Sequence, residues 1–123
     1  MSFRQQTSGP GLVVARLLLA SVFVVMGAWR LWGAWSGVPT SGATLTFSVA
    51  GLLLGVLVAG GWKLRWTAAL SALLLVADAV LSHPFWSLGG AERDAQLLHF
   101  MKNVAIVGGF LLLALTAPVS RRR

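Results

Sequence analysis

Four long apolar runs, separated by short polar breaks, limit what this chain can fold into more than any other feature. They cover roughly residues 11–33, 44–62, 64–86 and 96–117. At a helical rise of ~1.5 Å per residue, about 20 residues cross a hydrocarbon core of ~30 Å. A soluble domain would need a charged surface, which a chain 57% apolar and only 11% charged cannot supply. Inside lipid every backbone N–H and C=O must find its partner within the segment, so each run is expected to be a helix. The sequence therefore predicts an all-α integral membrane four-helix bundle, with residues 1–123 forming a single domain. The first run resembles a leader in following a basic stretch, but it is too long, contains Arg16 and has no small-x-small cleavage signal. It is expected to remain as the first helix.

The basic residues give the orientation. With four spans, Arg4, Lys63, Arg65, Arg121, Arg122 and Arg123 share one side, whereas the opposite loops hold Arg93 beside Glu92 and Asp94. The positive-inside rule puts the basic side in the cytoplasm, giving N-in/C-in topology in the bacterial inner membrane. Trp32, Trp35 and Trp86 then fall at the outer boundary, and Trp62 and Trp66 at the inner one, where tryptophan is favoured. The net charge of +7 is thinly spread between apolar runs, so it reads as a topology signal and not as a nucleic-acid surface. Residues 34–43 and 87–95 read as turn and polar loop, and Pro84 and Pro118 as helix stops. Gly51, Gly55 and Ala59 form a close-approach strip on the second helix, which serves packing inside the bundle or a subunit interface.

Several polar side chains lie where lipid is expected. A charge near the bilayer centre costs roughly 2.5–3.5 kcal/mol on insertion scales, so each requires a partner or a purpose. Arg30 and His83 sit ~5 Å inside the outer boundary, Asp78 ~12 Å, and Lys102 and Asn103 ~8–10 Å, with His99 also shallow. Gln96, His99 and Asn103 share one face of the last helix, and Lys102 stands beside it. Arg16, near the cytoplasmic end, has a stem long enough to snorkel to the inner headgroups.

These residues admit two main readings. In one, Arg30, Asp78 and Lys102 form a structural ion network with the histidines at the interface. In the other, His83, His99 and Lys102 line a pocket open to the outer leaflet, walled by Trp29, Trp32 and Phe100 and suited to a quinone ring or another polar-headed lipid. A b-type haem between His83 and His99 would rest on two lone histidines, one directly before Pro84. A metal there would lack thiolate or carboxylate company. With no cysteine, the chain carries no disulfide or dithiol relay, and no nucleophile–base pair, phosphate loop or catalytic carboxylate pair is visible. No covalently bound cofactor is expected.

Three segments resemble the DoxX family of small four-helix bacterial membrane proteins. "ARLLLASVFVVMGAWRLWG", with Arg16, Phe23, Gly27 and Arg30, is similar to that family's first helix. "GLLLGVLVAGGWKLRWTAAL" is similar to its second helix and basic turn, and "HPFWSLGGAERDAQLLHFMKNVAIVGGFLLLA" to its outer loop and last helix. The family commonly carries an acidic residue early in helix two, where this chain has Gly51, so any role of that carboxylate is absent or moved to Asp78. The resemblance implies a redox-linked accessory protein, associated with quinol-oxidising or thiosulfate-to-quinone systems. Carried over by position, it singles out His83, Pro84, Phe85, Trp86, His99, Lys102 and Asn103.

The expected function is thus an accessory subunit without catalytic activity of its own, which meets membrane lipids and works in a larger membrane complex or homo-oligomer. A small oligomeric transporter or a purely structural membrane subunit are the alternatives.

Overall fold

The computed structural model describes residues 9–117. It contains four helices long and apolar enough to cross a membrane. Helix α1 spans Pro10–Trp35, α2 Gly42–Ala59, α3 Leu64–Ser82 and α4 Gly90–Thr116, with a 3₁₀ turn at Phe85–Ser87 between the last two. No strand occurs among the described residues, and the fold is an all-α membrane bundle. Arg4 and Arg121 to Arg123, on which part of the orientation argument rests, and Pro118, the expected helix stop, lie outside the described residues.

Local chemistry sets each boundary. Pro10 occupies the first turn of α1, where its missing N–H loses no helical bond. Ser41 caps α2, its side chain accepting from the Thr44 N–H at 3.1 Å. The turn between α2 and α3 needs two left-handed residues, Gly61 at φ +76° and Lys63 at φ +43°. Pro84 disfavours helical geometry at the residue before it, and His83 accordingly leaves α3 at φ −128°.

The spans differ from the sequence expectation most at three places. Helix α2 stops at Ala59, three residues early, because Gly60 to Trp62 form the turn. Helix α3 breaks at Ser82 and not at Trp86. Helix α4 begins at Gly90, so most of the expected polar loop is its first turns, with Glu92 favourably placed at the positive end of the helix dipole. The helix is thereby ~9 Å longer than its apolar run suggests.

The bundle is two hairpins, α1 with α2 and α3 with α4, joined mainly through α2 against α3. Glycine makes the first hairpin close: Gly27 faces the Ser48 carbonyl and Leu52, Gly51 lies on the Phe23 ring, and Gly55 meets Val24, Phe23 and the Ala20 carbonyl. The glycine strip of α2 is therefore occupied inside the bundle. On α3, Leu64, Ala68, Ala72, Leu75 and Ala79 form a buried stripe of small and medium side chains. All but Ala79 join Ala20, Val58, Phe110, Ala114 and Ala117 in the core, which sits towards the basic end. Helices α1 and α4 touch only slightly, through Leu19 against Gly109 and the Phe23 ring stacked on Phe110 at 5.5 Å.

Candidate functional site

Hydroxyls in the spans are satisfied within their own helices. Ser48 donates to the Thr44 carbonyl and Ser71 to the Thr67 carbonyl, both at 2.7 Å, and Thr46 and Thr116 do the same on α2 and α4. Such bonds carry no information about a site. A second set of polar groups behaves differently, because its bonds run between helices at the end away from Lys63 and Arg65.

Asp78 continues the buried face of α3 outward, one turn beyond Leu75. Its Oδ2 accepts from Asn103 Nδ2 on α4 at 2.9 Å, and its Oδ1 accepts from the Ser82 hydroxyl at 2.9 Å. His83, released from α3 by Pro84, reaches α4 and donates from Nδ1 to Gln96 Oε1 at 2.6 Å. Its Nε2 stands 3.8 Å from Asp78 Oδ2, within ion-pair distance whenever the ring is protonated. The His99 ring stacks on His83 with centroids 5.3 Å apart and planes 26° apart. Beyond them Phe85, Trp86 and Phe100 form an edge-to-face cluster with centroids 5.2–5.9 Å apart. A carboxylate, two imidazoles and two amides therefore form one chain of contacts between α3 and α4, ending at an exposed His99 and an aromatic patch.

Two expected members stand apart. Lys102 is exposed on α4 and forms no ion pair with Asp78; among the described residues the one basic side chain within ion-pair distance of that carboxylate is His83. Lys102 lies two turns from Gly109 on the strip that meets α1 at Leu19, and the slight contact between α1 and α4 leaves that strip uncovered. Arg30 lines a small cavity of about 40 Å³ together with Asp78, Phe23, Met26 and Ser48, without direct contact to the carboxylate. That volume suits one or a few waters between two polar groups. Trp29 and Trp32 do not wall the histidine site. With Arg30 they line a separate groove between α1 and the start of α2.

Similarity to known proteins follows the whole bundle. The chain is 33% identical over 119 residues to the inner membrane protein YqjF of Escherichia coli (strain K12), an alignment covering 88% of this chain and 85% of that protein. The chain belongs to the YqjF family. It is also 29% identical over 116 residues to the inner membrane protein YphA of the same organism, covering 87% of this chain and 83% of YphA. No family model and no solved structure matches it. Four membrane-crossing helices and relatives named for the inner membrane make it a multi-pass protein of that membrane.

In this YqjF-family chain, sequence reasoning missed one partner in the site, Ser82. Gln96, which shares its face of the last helix with His99 and Asn103, meets His83 across the two helices. Ser82 carried no signal beyond its position one turn from Asp78, which is enough for a bond along a helix. At the basic end, Arg16 engages the turn between α2 and α3. Its Nη2 donates to the Ala59 carbonyl at 3.3 Å, its guanidinium lies over Gly61, and its Nε is buried without a partner. A cation there meets the negative end of α2.

Proposed function

We propose that this inner-membrane protein is DoxX-like and acts as an accessory subunit beside a membrane redox complex, holding a quinone head group at His83 and His99. The observation that carries the reading is the stacked imidazole pair, one ring fixed between Gln96 and Asp78 and the other exposed at the surface of α4. Imidazole can give a proton to a quinone carbonyl or accept one from the reduced hydroxyl near neutral pH. Asp78 offers His83 a charge partner for its protonated form, and Asn103 and Ser82 hold that carboxylate in place. Phe85, Trp86 and Phe100 supply a flat apolar neighbour for a ring, and Lys102, one turn from His99, a cation for its second oxygen. A quinone would contribute the electron chemistry, which no group of this chain can supply.

The experiment is purification of the tagged chain from native membranes in mild detergent, followed by quinone extraction and identification of companions. Quinone and redox subunits retained by the wild type, with the quinone lost from a folded His83→Ala, His99→Ala variant, are expected. A preparation free of both, or solute-dependent flux in vesicles, would favour the structural or transporter alternatives.

A further inference from the structure

The polar network on α3 and α4 leaves the half-buried Arg30, at the same end, unexplained. Arg30 is half-buried, and among the described residues no hydrogen bond or ion pair engages it. A guanidinium at this depth needs an anion or water. Asp78 is already held by Asn103, Ser82 and His83, and the cavity it shares with Arg30 is too small for anything beyond water.

Arg30 also lines the larger groove, of about 480 Å³, between α1 and the α2 start. That is the size of a small-ligand site. Trp29 and Trp32 form its aromatic side, and Ser36, Thr40 and Thr44 bring hydroxyls to it. Below Trp29 the same face of α1 continues as Val25 and Leu18, both exposed, at spacings of four and seven residues. A polar cradle with an arginine thus sits directly above an apolar track that faces lipid.

We infer that this groove binds the phosphate of a membrane phospholipid, with Arg30 as its cation and the acyl chains lying along Val25 and Leu18. Guanidinium matches phosphate oxygens in pairs, and tryptophan is favoured at headgroup level. The apolar track is what selects a lipid over free phosphate. The site is separate from the histidine pair and does not depend on a quinone.

The test is native mass spectrometry of the full chain in detergent, titrated with dioleoyl phosphatidylglycerol, with dioleoylglycerol and inorganic phosphate as comparison arms. The wild type should retain the phospholipid, dioleoylglycerol should not be held, and millimolar phosphate should not displace the lipid. Arg30→Gln should weaken retention about tenfold or more, whereas Arg93→Gln, another cation at this end and exposed on the first turns of α4, should leave it unchanged. Trp32→Leu, at an exposed position that cannot disturb the core, should weaken it as well and decides the matter if Arg30→Gln does not fold. Wild-type retention in both variants, equal loss in Arg93→Gln, or displacement by phosphate would each overturn the proposal.

Discussion

Asn103 on α4 donates to Asp78 on α3 across 2.9 Å, and this amide, not a neighbouring cation, is what ties the carboxylate between the two helices. A hydrogen bond to a charged group contributes about 1.5–3 kcal/mol. Asn103→Leu should therefore lower unfolding stability in detergent by about that amount, and Lys102→Met should change it by no more than ~0.5 kcal/mol. A double-mutant cycle between Asp78 and Asn103 should show coupling, and one between Asp78 and Lys102 none. The reverse pattern would mean that Lys102 reaches the carboxylate in the membrane.

The basic end offers a second test. Arg16 is bonded to the Ala59 carbonyl at the end of α2 and lies against Gly61, which stands at φ +76°. Arg16→Met should cost about 1–2 kcal/mol through loss of the bond and of the charge at the helix terminus. Gly61→Val should cost more than Gly60→Ala, since it adds backbone strain and pushes on the guanidinium. A snorkelling arginine would make Arg16→Met nearly silent.

The glycines separate into tight and free positions. A Cβ on Gly27 would come within 2.9 Å of the Ser48 carbonyl, and one on Gly55 within 2.9 Å of Val24 and 3.2 Å of the Ala20 carbonyl. Backbone cannot yield cheaply there, and Gly27→Ala or Gly55→Ala should destabilise by about 1–3 kcal/mol. Gly109 meets only the flexible tip of Leu19, and nothing lies within 4 Å of a Cβ on Gly108. Gly108→Ala should be neutral or stabilising by up to ~1 kcal/mol. Thermal unfolding of the three variants in one detergent checks the order.

Much of this was legible in the sequence. Apolar length alone gives four helices, because lipid leaves the backbone no other solution. Small residues at four-residue spacing mark Gly51 and Gly55 as packing surface, and shared depth marks Asp78, His83, His99 and Asn103 as neighbours. What failed was the choice of partner. Depth brings Lys102 level with Asp78, but partnership depends on rotation about the helix axis, and Asn103 is the residue turned towards α3. The separate groove of Trp29 and Trp32 was hidden for the same reason. The start of α4 was misjudged because Glu92, Arg93 and Asp94 read as loop, although Glu and Arg are good helix formers and acidic residues are favoured near a helix N-terminus.

Orientation rests on the asymmetry of Lys and Arg between alternate ends. Reporter fusions after Lys63 and after Arg123 should both read cytoplasmic, and a fusion after Gly90 should read periplasmic. An outside signal at Lys63 would reverse the bundle and put the histidine pair at the cytoplasmic face.

The most direct test of the proposed function is binding of a short-chain quinone to the purified chain in nanodiscs, measured beside empty nanodiscs and a folded His83→Ala, His99→Ala variant. Saturable binding to the wild type, weakened about tenfold or more in the variant, is the predicted result. Binding no better than to empty nanodiscs, or equal in both proteins, would contradict the account and leave Asp78, His83, Gln96 and Asn103 as a structural tie between α3 and α4.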